Sequence, residues 1–458
     1  MMASESMMIA GEDARMNHLL RRAAFGCRAQ DWKHWSTLGE KGALKALIDY
    51  DKTPDKIPDL PTDSMGGLVA PQDTDALKRY WLFRFCETTR PMEEVMTLFW
   101  HGHFATSDYK VQNPSIEYRQ NKLFRKHALG NFRTMLAEIS TDPAMLIWLD
   151  GNNSTKKAPN ENFSRELLEL FTMGVNSGYT EHDVKEGAKS FTGWTYDSDR
   201  YRTVFNAKTY NTGPKEYLGH KGDYNLGETL DIVAAHPATA KFLSQKLYEY
   251  FVNDEAPPEE VARLSDVYFK SGYSIRELVR AVLTSPHFYS QDALYSRVKT
   301  PVQYAVMLIK TLDLPYSWIS DMQQYTDNMG QQLYNPPNVK GWKTGRNWIN
   351  TNTMTARLNF AKHAVDQLRY RGLVRDRVTA GLAMSHVNAD ASYRTADTAI
   401  SDTWDWILPS VPMGADTRHI LLDYMHLGAP KKPDANHYWN RASGLVELIV
   451  TCPEYQLA

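Results

Sequence analysis

The chain lacks what several kinds of protein require. Only three cysteines, Cys27, Cys86 and Cys452, occur in 458 residues. They are far apart and form no CxxC, so neither a disulfide framework nor a cysteine metal knuckle is expected. No stretch approaches the roughly 18 uninterrupted apolar residues of a membrane span. Charge of one sign is also missing: 52 Lys and Arg balance 54 Asp and Glu, for a net charge of -2. A broad phosphate-binding surface, and with it nucleic acid as a partner, is therefore not expected. Glu12 and Asp13 fall where a leader would be apolar, so Met1–Asn17 is read as carrying no secretory signal and the expected compartment is the cytoplasm. There is no GxSxG elbow, Walker A loop, post-strand GxGxxG or HExxH, and no nucleotide cofactor is expected.

What is present is an ordinary globular composition with helical periodicity. Hydrophobic residues make up 42% of the chain, enough for a sizeable core. The expected fold is mainly α, a multi-helix globular bundle. One interruption at 193–225 is rich in Tyr, Thr, Gly and Asn, and its alternation around Tyr201–Phe205 predicts a small hairpin or extended insertion. Residues 1–387 form the main helical domain. Asn388–Thr398 is the best linker candidate, leaving 388–458 as a C-terminal helical cap or a continuation of the same domain.

Four polar clusters stand out. Pro91 opens an apolar helix expected to run to Trp100, followed by His101-Gly102-His103-Phe104. In extended backbone, which Gly102 permits, His101 and His103 point the same way and present two imidazoles to one metal. If the helix continues through His101, Glu94 lies seven residues back on the same face, a carboxylate–imidazole pair as in helical metal sites. The bland alternative is capping or packing.

The second cluster runs from Pro159 to Phe171. Phe163, Leu167, Leu170 and Phe171 make the apolar stripe; Asn162, Glu166 and Glu169 share an adjoining polar face. Arg165 is within helical reach of Glu161 and Glu169, an ordinary surface ion pair in the plain reading. Glu166 borders the apolar stripe, and a carboxylate there needs a partner or a raised pKa. Tyr179 through Asp183, with Glu181 inside, reads first as a capped helix start. The fourth cluster, Asn335-Pro336-Pro337-Asn338-Val339-Lys340-Gly341-Trp342 through Trp348, is a loop whose tryptophans serve either as ligand platforms or as core plugs. Asn338 and Lys340 brace it or touch a ligand.

Taken together, His18 through Gly26, Phe99 through Phe104, Pro159 through Gly174, Tyr179-Thr180-Glu181, Thr192-Gly193-Trp194 and Pro336 through Trp342 resemble the bacterial domain of unknown function 1800 family over about Asn17–Val365. That resemblance implies no established activity. It implies a sulfatase-like protein as a neighbour and partner, and an export signal in many members. This chain departs from the pattern with Tyr210-Asn211 where a His-Asp pair is expected before Lys215–Gly219.

Three functional expectations follow. One is a hydrolase of unknown substrate with a divalent metal (Zn, Mn or Fe) held by Glu94, His101, His103, Glu166 and Glu169. Its catalytic groups would be Glu166, His103, Arg165 and Glu161. Another is a metal-free carbohydrate-active enzyme using Glu166 with Glu161 or Glu181. Trp100, Trp194 and Trp342 would serve as sugar platforms, with Asn162, Asn338 and Lys340 as contacts. The third is a non-catalytic binding or assembly protein. The separating observation is whether His101, His103 and Glu166 meet on an open pocket.

Overall fold

The computed structural model describes residues 8–458, so the first seven residues of the leader reading lie outside the described residues. Helices dominate from Glu12–Ala23 to Ala442–Thr451. The 193–225 insertion forms two small antiparallel hairpins, Trp194–Asp197 with Arg202–Phe205 and Lys215–Tyr217 with His220–Gly222. The mainly α expectation with an extended insertion is therefore met. No helix among the described residues is long and apolar enough to cross a membrane.

One hydrophobic core runs from Met16 to Tyr455. The last helices are part of it. The Arg21 guanidinium donates to the Ile407 carbonyl at 2.6 Å, and Lys299 donates to Tyr455 O at 2.6 Å. The Asn388–Thr398 segment is itself folded: Ala389–Ser392 is helical, Ala396–Ile407 begins with a Thr395 capping box, and Tyr393 between them is fully buried.

Three elements position the site. Pro91–His103 is buried on nearly every side and carries the two histidines. Pro237–Phe251 starts with the His236 imidazole accepting from Ala238 N–H and has proline at its first position. The loop from Leu333 to Trp348 packs on the first and lines a cleft with the second. The Asn160-to-Met173 helix of the sequence pattern splits into α-helix Glu161–Glu166 and a π-helical turn Leu167–Thr172. Thr172 Oγ1 donates back to Leu167 O at 2.5 Å inside that turn.

Candidate functional site

The first helix corrects one expectation. Its backbone stays helical through His103 rather than ending at Trp100. Residues two apart on a helix are about 200° apart around its axis, so the two imidazoles diverge. His101 turns inward between Trp81, Trp342 and Tyr334, with ring centroids 5.4, 5.2 and 5.6 Å away. Its Nε2 accepts the Tyr334 N–H at 3.2 Å. Burial lowers its pKa to about 3, so it is neutral at physiological pH.

Glu94 does share a face with His101, but its carboxylate is saturated. Arg84 Nε donates at 2.8 Å, Arg125 Nε at 2.6 Å and Nη2 at 3.1 Å, and the Trp81 indole at 2.8 Å. Burial works to raise the Glu94 pKa, yet Arg125 and Arg84 outweigh it and hold it at about 2. This is a buried structural ion triad. The proposed metal set therefore does not assemble: Glu94 is consumed by two arginines, and His101 and His103 face apart. Glu166 and Glu169 lie on the separate Glu161–Thr172 stretch, where Lys340 acts on Glu166. Among the described residues no three His, Cys, Asp or Glu side chains are grouped to hold a metal ion.

The paired-carboxylate set is likewise dispersed. Arg165 bridges Glu181 at 2.5 Å and Glu161 at 3.2 Å on the surface, so those groups form a salt-bridge triad rather than flanking a bond. Glu166 is half-buried; burial and then Glu169 raise its pKa, while Lys340 lowers it. Asn162 is exposed. Trp100 is fully buried with its indole donating to Ala128 O at 3.0 Å, so it offers no platform. Trp194 packs on Phe205 across the hairpin, centroids 4.9 Å apart. Asn338 Oδ1 accepts the Lys340 N–H at 2.9 Å and so braces the loop.

His103, Lys340 and Trp342 do come together, on a cleft of about 500 Å³ between Pro91–His103, Pro237–Phe251 and the loop. Sequence reasoning missed the other half of this cleft: Lys246, Glu249 and Arg297. The spacing of Lys246 and Glu249, one turn apart on a helix, was the available signal, but it is common on solvated helices.

Lys246 Nζ sits 3.3 Å from His103 Nδ1, and His103 Nε2 is 2.9 Å from Phe171 O. The carbonyl can only accept, so Nε2 carries the proton and Nδ1 accepts from the ammonium. The imidazole thus caps an orphan carbonyl of the π-turn while orienting the lysine. Burial, and then Lys246, push the His103 pKa well below its ordinary value. Burial lowers Lys246 to about 8, against the opposing pull of Glu249. Burial raises the Glu249 pKa, partly offset by the Gln245 amide that donates to it at 2.7 Å. Arg297 leans on the Tyr250 ring and on Asp254, 3.7 Å away. Five cationic side chains (Lys246, Arg297, Lys340, Lys343, Arg346) and two carboxylates, Glu249 and Asp254, line the cleft.

The fold and cleft define a class: a helical protein with a cationic, aromatic-walled cleft fed by three chain segments. A family model described as "Protein of unknown function (DUF1800)" matches residues 18–457, and the chain belongs to that family. The match runs past the motif-bearing span into the C-terminal helices, which join the core but carry no polar signature. No curated protein and no solved structure matches the chain.

Proposed function

We propose that the chain is a hydrolase acting on an anionic substrate bound in the cleft at His103. The observation that carries this reading is the pair Lys246 and Glu249, one helical turn apart and lining one cleft. Their surroundings shift them towards each other, the ammonium down to about 8 and the carboxyl upward. Below about pH 8, once Glu249 has lost its proton, the pair is an ammonium beside a carboxylate. Lys246 is then an unusually strong acid for a lysine, and Glu249 an unusually strong base for a glutamate. Glu249 takes the proton of an attacking water, and Lys246 hands a proton to the leaving oxygen. His103 holds the ammonium in place, and the surrounding cations offset charge on the substrate. No step is assigned to a metal, because the residues expected to bind one do not meet.

The test is a hydrolysis screen over anionic esters, phosphoesters and acidic glycosides with wild type, Glu249→Gln and Lys246→Met. An activity lost in both variants, with folding intact, supports the reading. Turnover that survives in both variants overturns it. In parallel, competitive amine acylation at pH 8 followed by peptide mass mapping reads Lys246 without a substrate. Its half-deprotonated amine should label well ahead of the surface lysines, and equal labelling removes the acid role.

A further inference from the structure

The loop at Trp342–Trp348 does not only wall the cationic cleft. Trp342, Lys343, Asn347 and Trp348 also line a second cleft of about 460 Å³ on the loop's other side. The second cleft has a different chemistry. Its charged residues are Asp327 and Lys343 alone, and Asp327 is already engaged by Lys78 at 3.4 Å and Gln323 at 3.0 Å. Its remaining walls are aromatic rings, prolines and carboxamides, with Ser107, Met329, Gly330 and Thr353 between them. Tyr109 is 82% exposed and Trp148 half-buried; Asn335 is held by Ser107 and Gln332 and Asn350 Oδ1 caps Thr353, which leaves the Gln332 and Asn350 amide NH2 groups to meet a ligand. An exposed tyrosine ring and a half-buried tryptophan on one cleft wall, with side-chain amides on the same cleft, suit the flat C–H face and hydroxyls of a sugar.

We infer that the two clefts form one track for a linear acidic oligosaccharide that crosses the Trp342–Trp348 loop, with an acidic sugar among Lys246, Arg297 and Arg346 and a neutral sugar further along the same chain against Tyr109 and Trp148. This rests on the cationic cleft being the substrate site proposed above and names the substrate class for it. The alternation of charge separates this ligand from other polyanions. A nucleic acid or an acidic peptide carries a charge on nearly every unit and would meet a second cleft with no net positive charge. Among the described residues no strand borders either cleft to receive an extended peptide by edge pairing.

The experiment measures binding of glucuronate, a hyaluronan tetrasaccharide (alternating glucuronate and N-acetylglucosamine) and an unsulfated chondroitin tetrasaccharide (alternating glucuronate and N-acetylgalactosamine). A phosphodiester oligonucleotide and an oligoglutamate of equal length serve as comparisons. The expected result is at least tenfold tighter binding of one tetrasaccharide than of glucuronate. Tyr109→Ala should abolish that gain without changing glucuronate binding, and Lys246→Met should weaken every acidic sugar. The two tetrasaccharides carry the same acidic sugar and differ only in the configuration of the neutral one, so their difference reads the second cleft. Glucuronate binding without a tetrasaccharide gain, a gain untouched by Tyr109→Ala, or tighter binding of the oligonucleotide or the peptide overturns the track alone. No binding of any anion, or binding indifferent to Lys246→Met, overturns the cationic cleft as the substrate site and the track with it.

Discussion

Gly341 and Gly102 touch backbone to backbone: a Cβ built on Gly341 would overlap the carbonyl oxygen of Gly102. Gly341 also sits at φ +82, in the left-handed region that glycine tolerates best. This contact joins the two motifs that face the clefts, the His101–His103 helix end and the Pro336–Trp342 loop, and it places Trp342 over His101.

The two glycines should respond differently. Gly341→Ala adds both backbone strain and a clash with main chain, and is expected to cost at least about 1–3 kcal/mol. Gly102→Ala puts its methyl 3.6 Å from the Trp342 ring, an ordinary contact, within a helix. It should be neutral or stabilising by up to about 1 kcal/mol. Urea unfolding of the two variants checks this, and equal losses would mean that the close approach does not hold the loop.

Glu94 anchors the interior behind the site. Removing it as Glu94→Ala leaves Arg84 and Arg125 buried and unmatched, with an expected cost of about 3–5 kcal/mol. Its folded pKa of about 2 lies below the ordinary 4.5. Its contribution is therefore full above pH 4.5 and is lost as pH falls towards 2. Acid unfolding monitored by circular dichroism should shift accordingly in Glu94→Gln, whose midpoint should lose this dependence. An unchanged acid limb would place the charge elsewhere.

The sequence made the helical class plain, because apolar periodicity recurs along the whole chain and the 193–225 insertion visibly breaks it. It also marked His103, Lys340 and Trp342. It could not say that His101 and His103 diverge, since that depends on whether the backbone at Gly102 is helical or extended. Tertiary packing decides this: Trp342 docks on Gly102 and the helix persists. Nor could it reveal that Glu94 meets Arg84 and Arg125, which arrive from separate helices. Lys246 escaped notice because what makes it unusual is burial against Phe242 of its own helix and His103 of a helix 143 residues away, a pairing only the tertiary fold creates.

Three histidines, His18, His101 and His103, are buried and kept neutral, with pKa values pushed below 6.5 chiefly by desolvation. Unfolding lets each take up a proton below its ordinary pKa. Stability is therefore full above about pH 6.5 and falls as the solution becomes more acidic, by about 1.4 kcal/mol per pH unit for each histidine. His18 packs on the Phe288 ring, centroids 4.6 Å apart, so His18→Phe keeps an aromatic in place. Denaturant unfolding between pH 7.5 and 5.5 should show a shallower slope in that variant, by about one histidine's worth. An identical slope would show that His18 is protonated in the folded protein.

Lys246 offers the sharpest separation of charge from proton transfer. Lys246→Arg keeps a cation in the cleft but cannot release a proton near neutral pH. If Lys246 is the acid of the hydrolytic step, the wild-type rate should fall above about pH 8, where its ammonium deprotonates. On the acid side it should fall as Glu249 takes up its proton, above the ordinary carboxylate range. Lys246→Arg should then lower kcat by about 10²–10⁴ while leaving KM for an anionic substrate within a few-fold, and the alkaline limb near pH 8 should disappear. Lys246→Met should raise KM as well, since it removes the charge. Were the arginine variant to keep the wild-type kcat and the alkaline limb, Lys246 would be acting as a fixed charge, and the proton donor would have to be sought elsewhere on the cleft wall.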